Sequence, residues 1–168
     1  GAFFQNHTHI VQQTAEQLAE SLGLSPSDRE NLRLASQLHD VGMIVIPDAV
    51  LNKRGPLSPQ EWDLIRQHSA TAADYLAQVP ALRHIAPLVR HHHERYDGGG
   101  YPDGLKGGET PYLARVLAVA DAYGTMVGQW PGHAAKTAEQ ARAELIAGAG
   151  TQFDPQVIAA FTKTPTAK

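Results

Sequence analysis

The chain contains no cysteine, which removes disulfide scaffolds, thiolate zinc sites, iron–sulfur clusters and cysteine nucleophiles in one step. It has no basic surplus either. The formal net charge is −3 with histidine counted neutral, and a protein that neutralises nucleic-acid phosphates carries the opposite balance. No apolar run approaches the roughly 20 residues needed to span a bilayer, so membrane insertion is not expected, and no secretory leader opens the chain. Strand-like alternation is nearly missing, confined to Met43–Ile46. What remains is a chain of 168 residues, 42% hydrophobic and 18% charged, which suits one domain with a real core and excludes disorder. Gly1 in place of methionine points to a segment of a longer protein. Residues 1–163 read as a single domain, and 164–168 as a frayed, disordered tail.

The pattern is helical, and the expected fold is an all-α bundle of about seven helices. Ile10, Val11, Thr14, Ala15, Leu18, Ala19 and Leu22 recur at 3.6-residue spacing, and Gly23 stops the stripe. Ser27 with Glu30 reads as a capping box for a second helix running to about Val41. Ser58-Pro59-Gln60-Glu61 opens a third helix, expected to reach about Ala77. A fourth covers about Ala81 to His93, kinked or restarted at Pro87. Tyr96 to Glu109 holds six glycines in fourteen residues and must be loop. Helices from Thr110-Pro111 to about Val127, over Thr137–Ala147 and over Asp154–Phe161 complete the set.

Histidine is in excess for this length, with nine residues. Without cysteine, a transition-metal site here must use imidazole and carboxylate. Helical register places His7, His39, His68, His92 and His93 on inward faces, while His9 and His91 lie off the apolar stripes. Any one of these alone reads as a hydrogen-bonded core histidine. Five together need donors and acceptors that an apolar core lacks, and a shared metal centre satisfies them at once. Asp121 lies in a helix that is apolar nearly all round, so its carboxylate needs a cation or an ion pair, Arg115 being the nearest alternative. Asp40 at a helix C-terminus opposes the helix dipole, and a bound metal reverses that sign.

His39-Asp40, with an earlier histidine and a later helical aspartate, resembles the HD superfamily of metal-dependent phosphohydrolases. Val41-Gly42, Ile46-Pro47-Asp48, Leu51, Lys53, Gly55, Leu57 and Glu61 resemble the stretch that follows the doublet in the HD-GYP family. His92-His93-Glu94-Arg95-Tyr96-Asp97-Gly98-Gly99-Gly100-Tyr101-Pro102 resembles the motif that names it. Leu117 to Asp121 and Phe153-Asp154-Pro155 match its later elements, so the likeness runs from about His7 to Phe161.

The resemblance implies a cytoplasmic bacterial phosphodiesterase acting on cyclic di-GMP, as an output domain behind an upstream sensor or receiver. It implies two divalent ions, iron or manganese first, with nickel and zinc equally suited to the donor set. The implied ligands are His7, His39, Asp40, His68, His92, His93 and Asp121. Asp40 would bridge, His68, His92 and His93 would hold one ion, and His7, His39 and Asp121 the other. A metal-bridging hydroxide beside His39 and Asp40 would be the nucleophile. Lys53 and Arg95 are candidate phosphate contacts. The Gly98–Gly108 loop either shapes one rim of the site or meets a partner protein.

Four positions depart from the family. Met43, Gly124 and Trp130 stand where the resemblance implies phosphate-contacting lysine, aspartate and arginine, and Phe3 stands where trinuclear members carry glutamate. These departures imply a slower enzyme. They also keep open a metal-retaining module that binds nucleotide or a signalling partner, or a hydrolase of another cyclic dinucleotide.

Overall fold

The computed structural model describes residues 2–53, 55–128 and 134–165, with side chains from residue 5 onward. Nine α-helices carry it: α1 (Ala2–Ser21), α2 (Pro26–Leu38), α3 (Asp48–Leu51), α4 (Pro59–Arg66), α5 (His68–Ala77), α6 (Ala86–Arg90), α7 (Tyr112–Val127), α8 (Ala138–Ala147) and α9 (Pro155–Phe161). The described residues hold no strand, only an isolated bridge between Ala149 and Phe153. The all-α expectation holds. No helix among them is long and apolar enough to cross a membrane.

Several boundaries differ from those read in the sequence, each for a local reason. The cap of α2 is Ser25, whose hydroxyl accepts from Asp28 N–H, with Pro26 at the first helical position; this displaces the expected Ser27 box. The same helix stops at Leu38, and residues Val41–Val45 form a 3-10 turn. The apolar run that looked strand-like is that turn. The third expected helix is two, broken at Gln67 between α4 and α5. Pro87 acts as a second start, at the head of α6. The capping box at Ser58 forms as expected, and a second one forms at Thr137. Thr164, placed by the sequence in a frayed tail, is buried and donates to Phe161 O at 2.7 Å, and residues 166–168 lie outside the described residues.

Helix α7 is the axis of the molecule. It packs against α1, α2, α6, α8 and α9, which explains why Leu113, Val116, Leu117, Val119, Ala120 and Tyr123 are buried around its circumference. Around it α1 contributes Val11, Ala15, Leu18 and Ala19, and α9 contributes Val157, Ile158 and Phe161. The buried carboxylate of Asp154 ties α9 to this axis. One of its oxygens caps α9 by accepting from Gln156 N–H at 2.8 Å, and the other pairs with Arg115 of α7. Arg115 also donates to Thr110 O at 3.1 Å.

Asp154→Ala removes a cap and leaves a mostly buried guanidinium unpaired, so unfolding in urea should show a loss of about 3 kcal/mol. Asp154→Asn keeps the capping oxygen and should lose less.

Candidate metal centre and its cleft

Three histidines are placed by one device. His39 caps the C-terminus of α2 and donates from Nδ1 to Ser36 O at 2.9 Å. His68, just past α4, donates to Ile65 O at 2.6 Å, and His92, just past α6, to Val89 O at 2.6 Å. Each acceptor lies in the last turn of a helix, where carbonyls have no intrahelical partner. A carbonyl only accepts, so each Nδ1 carries a proton, and in the neutral ring each Nε2 is left with a lone pair directed inward.

Those lone pairs converge. His68 Nε2 is 3.2 Å from His93 Nε2, and His39 Nε2 is 3.3 Å from His7 Nε2. His92 Nε2 is buried with no hydrogen-bond partner. The ligating atoms fall into two groups, each within 4.8 Å of one another: His68, His92 and His93, and His7, His39 and Asp121. Asp40 stands between them. Its Oδ1 is 3.5 Å from His68 Nε2, and its Oδ2 is 3.4 Å from His39 Nε2 and 3.7 Å from His7 Nε2. Asp121 Oδ1 lies 3.1 Å from His7 and 3.6 Å from His39.

The charges follow this division. Burial pushes His39 down, but Asp40 and Asp121 outweigh it and hold the ring at about 9. Burial lowers His93 to about 4, and burial with the neighbouring imidazoles keeps His92 well below its ordinary value. Asp121 is pushed up by burial, yet hydrogen bonds from His39 and His7 hold it well below the carboxylate range. The result is a pocket of acceptors and negative charge with an orphaned, buried imidazole nitrogen. That donor set fits divalent cations.

The group opens on a cavity of about 550 Å³, lined by His92, His93 and Asp121 together with Arg66, Arg95, Tyr101, Thr125, Lys136, Gln152 and Phe153. The glycine-rich loop forms one wall. Buried Glu94 accepts from the N–H groups of Asp103 and Leu105 at 2.8 and 3.1 Å, and Arg90 grips Asp103 through two bonds of 2.8 Å. Gly100 is required where it stands. A Cβ there would lie 2.3 Å from Arg95 N and 2.6 Å from His93 O. This approach lays Tyr101 on His93, ring centroids 4.9 Å apart and 26° from parallel.

All seven sequence-predicted ligand positions are therefore brought together. The alternative partner for Asp121 is absent, since Arg115 is taken by Asp154. His92 and His93 arrive from a turn after α6 rather than from a helix, because α6 ends at Arg90. His91 stays out of both groups but is not solvent-facing: its Nδ1 is buried, 3.6 Å from Glu94 and from Asp103. Arg95 lines the cleft while bound to Asp97. Lys53 is 2.6 Å from Glu61 and does not line the cleft.

Of the four departures, the reading of Gly124 needs correction. Met43 shares a hollow with Asp40, Thr8, Leu38, Ile44 and Leu51 and so stands beside the ligand groups, though it does not line the cleft of His93 and Tyr101. A Cβ at Gly124 would meet Val11 at 2.8 Å and the His7 ring at 3.3 Å, so a side chain there presses on a ligand and not into the cleft. Trp130, and the side chain of Phe3, lie outside the described residues. Arg66, Tyr101, Lys136 and Gln152 were not singled out for the cleft by sequence reasoning. Tyr101 at least sat in a quoted motif, whereas Arg66 carried no signal until the break at Gln67 turned α4 toward the loop.

Residues 2–157 match the HD domain family. A cyclic di-GMP phosphodiesterase of Thermotoga maritima is 37% identical over 94% of this chain and 43% of its own length. The cyclic di-GMP phosphodiesterase response regulator RpfG of Xanthomonas campestris is 38% identical over 96% of this chain and 42% of its own. The chain thus spans less than half the length of these relatives. Among solved structures, an HDGYP protein of Bdellovibrio bacteriovorus superposes with a TM-score of 0.74 at 24% identity, over 92% of this chain and 50% of that one.

Neighbouring histidines should separate in a metal assay. His92→Ala is expected to lower bound metal affinity by at least about tenfold, read by elemental analysis after dialysis. His91→Ala should leave metal content unchanged and instead raise protease cleavage in the 98–108 loop.

Proposed function

The chain belongs to the HD domain family, and from that footing we propose that it is a metal-dependent phosphodiesterase that hydrolyses cyclic di-GMP. The observation that carries this is the position of Asp40, one oxygen toward each of two three-ligand groups, whose His92, His93 and Asp121 line a cleft large enough for part of a dinucleotide. Relatives named for cyclic di-GMP hydrolysis match nearly the whole chain, and a 3'3'-cGAMP-specific phosphodiesterase of Vibrio cholerae is 35% identical over 90% of it. The principal competitor is therefore another cyclic dinucleotide.

His68, His92 and His93 would hold one divalent ion, and His7, His39 and Asp121 the other, with Asp40 shared. Imidazole and carboxylate donors suit iron and manganese, the latter group being two histidines and one carboxylate. Such ions, when bound, activate water and neutralise charge on the phosphate under attack. The protein's own groups do the rest. Backbone carbonyls of Ser36, Ile65 and Val89 keep three rings in one tautomer, so the site is organised before substrate arrives. Tyr101 and Phe153 give the cleft aromatic lining. Burial raises the Tyr101 phenol, assisted by Asp121, so its hydroxyl stays protonated and is a neutral donor for a phosphate oxygen. Arg95, paired with Asp97, lines the rim.

Because Glu94 and Arg90 clamp the Gly98–Gly108 loop to the site, its first role is as this wall. A partner protein would meet only its outer surface. An upstream regulatory segment in the cytoplasm is consistent with the greater length of the relatives.

Protein purified without oxygen and loaded with Fe²⁺ or Mn²⁺ should convert cyclic di-GMP to the linear dinucleotide, separated by chromatography. Chelation should abolish turnover and metal return should restore it. Asp40→Ala should lose at least about a hundredfold in kcat. Tight binding of cyclic di-GMP by fully loaded protein without turnover would favour a nucleotide-binding module instead.

A further inference from the structure

A cyclic dinucleotide carries two phosphodiester anions, and a hydrolytic centre engages the one that is cut. The second charge needs its own partner in the cleft. Among the described residues, three Lys or Arg side chains line the cavity: Arg66, Arg95 and Lys136. Two are already matched. Arg95 grips Asp97 through Nε and Nη2 at 3.0 and 2.7 Å, and Lys136 is joined to Glu144.

Arg66 differs. Its acidic neighbour Asp63 stands 3.9 Å away, one turn back on α4, with the two side chains 57% and 68% exposed. A pair of that kind contributes little and leaves the guanidinium able to take another anion. The Arg66 side chain is nonetheless aimed. Its Cζ lies 5.9 Å over the Tyr101 ring, and that ring stacks on His93. A cation–π contact orients a guanidinium without neutralising it, and the planar fork remains available for two parallel bonds to phosphate. The stack His93–Tyr101–Arg66 therefore sets a free cation one aromatic ring away from the ligand group.

We infer that Arg66 binds the second, uncut phosphate of the cyclic dinucleotide, with Tyr101 as its positioning platform; this rests on the phosphodiesterase activity proposed above. It places this second phosphate contact on α4, on the Tyr101 side of the ligand groups.

The test compares two substrates of the metal-loaded protein: cyclic di-GMP, with two phosphodiesters, and bis(p-nitrophenyl) phosphate, with one. Arg66→Ala should raise KM for cyclic di-GMP about tenfold or more, with kcat and the kcat/KM for the single diester each falling less than about threefold. Arg66→Lys should recover part of the loss, because a point charge replaces a fork. Metal content and melting temperature of both variants should match the parent. Equal losses on the two substrates, an unchanged KM, or depleted metal would overturn the assignment. If the parent protein cleaves neither substrate, the phosphodiesterase proposal falls and takes Arg66 with it. A parent that cleaves both, with no split in the variant, brings down the role of Arg66 alone.

Discussion

Asp40 is held between two sets of atoms that cannot remain side by side without positive charge. Its oxygens face His68 on one flank and His39 and His7 on the other, and the facing imidazole nitrogens are themselves lone-pair donors. In an apolar interior such a collection is costly. One proton on His39 relieves part of it, which is why that ring sits near 9 while His93 is driven to about 4. A pair of divalent cations relieves all of it. The packing of α1, α2, α5, α6 and α7 makes sense as the arrangement that brings these groups to one place, with the apolar shell around α7 supplying the stability that offsets them.

Helix ends do the positioning. The carbonyls of Ser36, Ile65 and Val89 would be unsatisfied at the C-termini of α2, α4 and α6, and a histidine three residues later meets each of them. A single contact thus completes a helix terminus, selects a tautomer and turns Nε2 toward the centre. This also explains the short helices and breaks. A continuous helix through Gln67 or beyond Arg90 would bond those carbonyls internally and leave the rings unoriented.

The cleft is assembled by a different principle. Its wall is loop, rigid because Glu94 takes two backbone N–H groups and Arg90 takes Asp103. The tyrosine it presents links the ligand group to α4. The candidate ligands and the loop wall consequently come from different elements, joined where Tyr101 stacks on His93.

Much of this was legible in the sequence. Five inward histidines, Asp40 and Asp121 could be read because periodicity and the cost of burying polar groups are local properties, and the all-α class followed from the same periodicity. The cap at Ser58 was legible for the same reason. What required the tertiary structure were relations between distant segments. Arg115 is within reach of Asp121 by sequence but bonds Asp154, 39 residues on. Gly124, suggestive of a missing phosphate contact, instead lies against His7 and Val11 of α1. Arg66 drew no reading from the sequence, because its place over Tyr101 depends on where the loop carries that ring. Helical phase says which side of its own helix a residue occupies, but which neighbour fills that side is decided only when the helices cross.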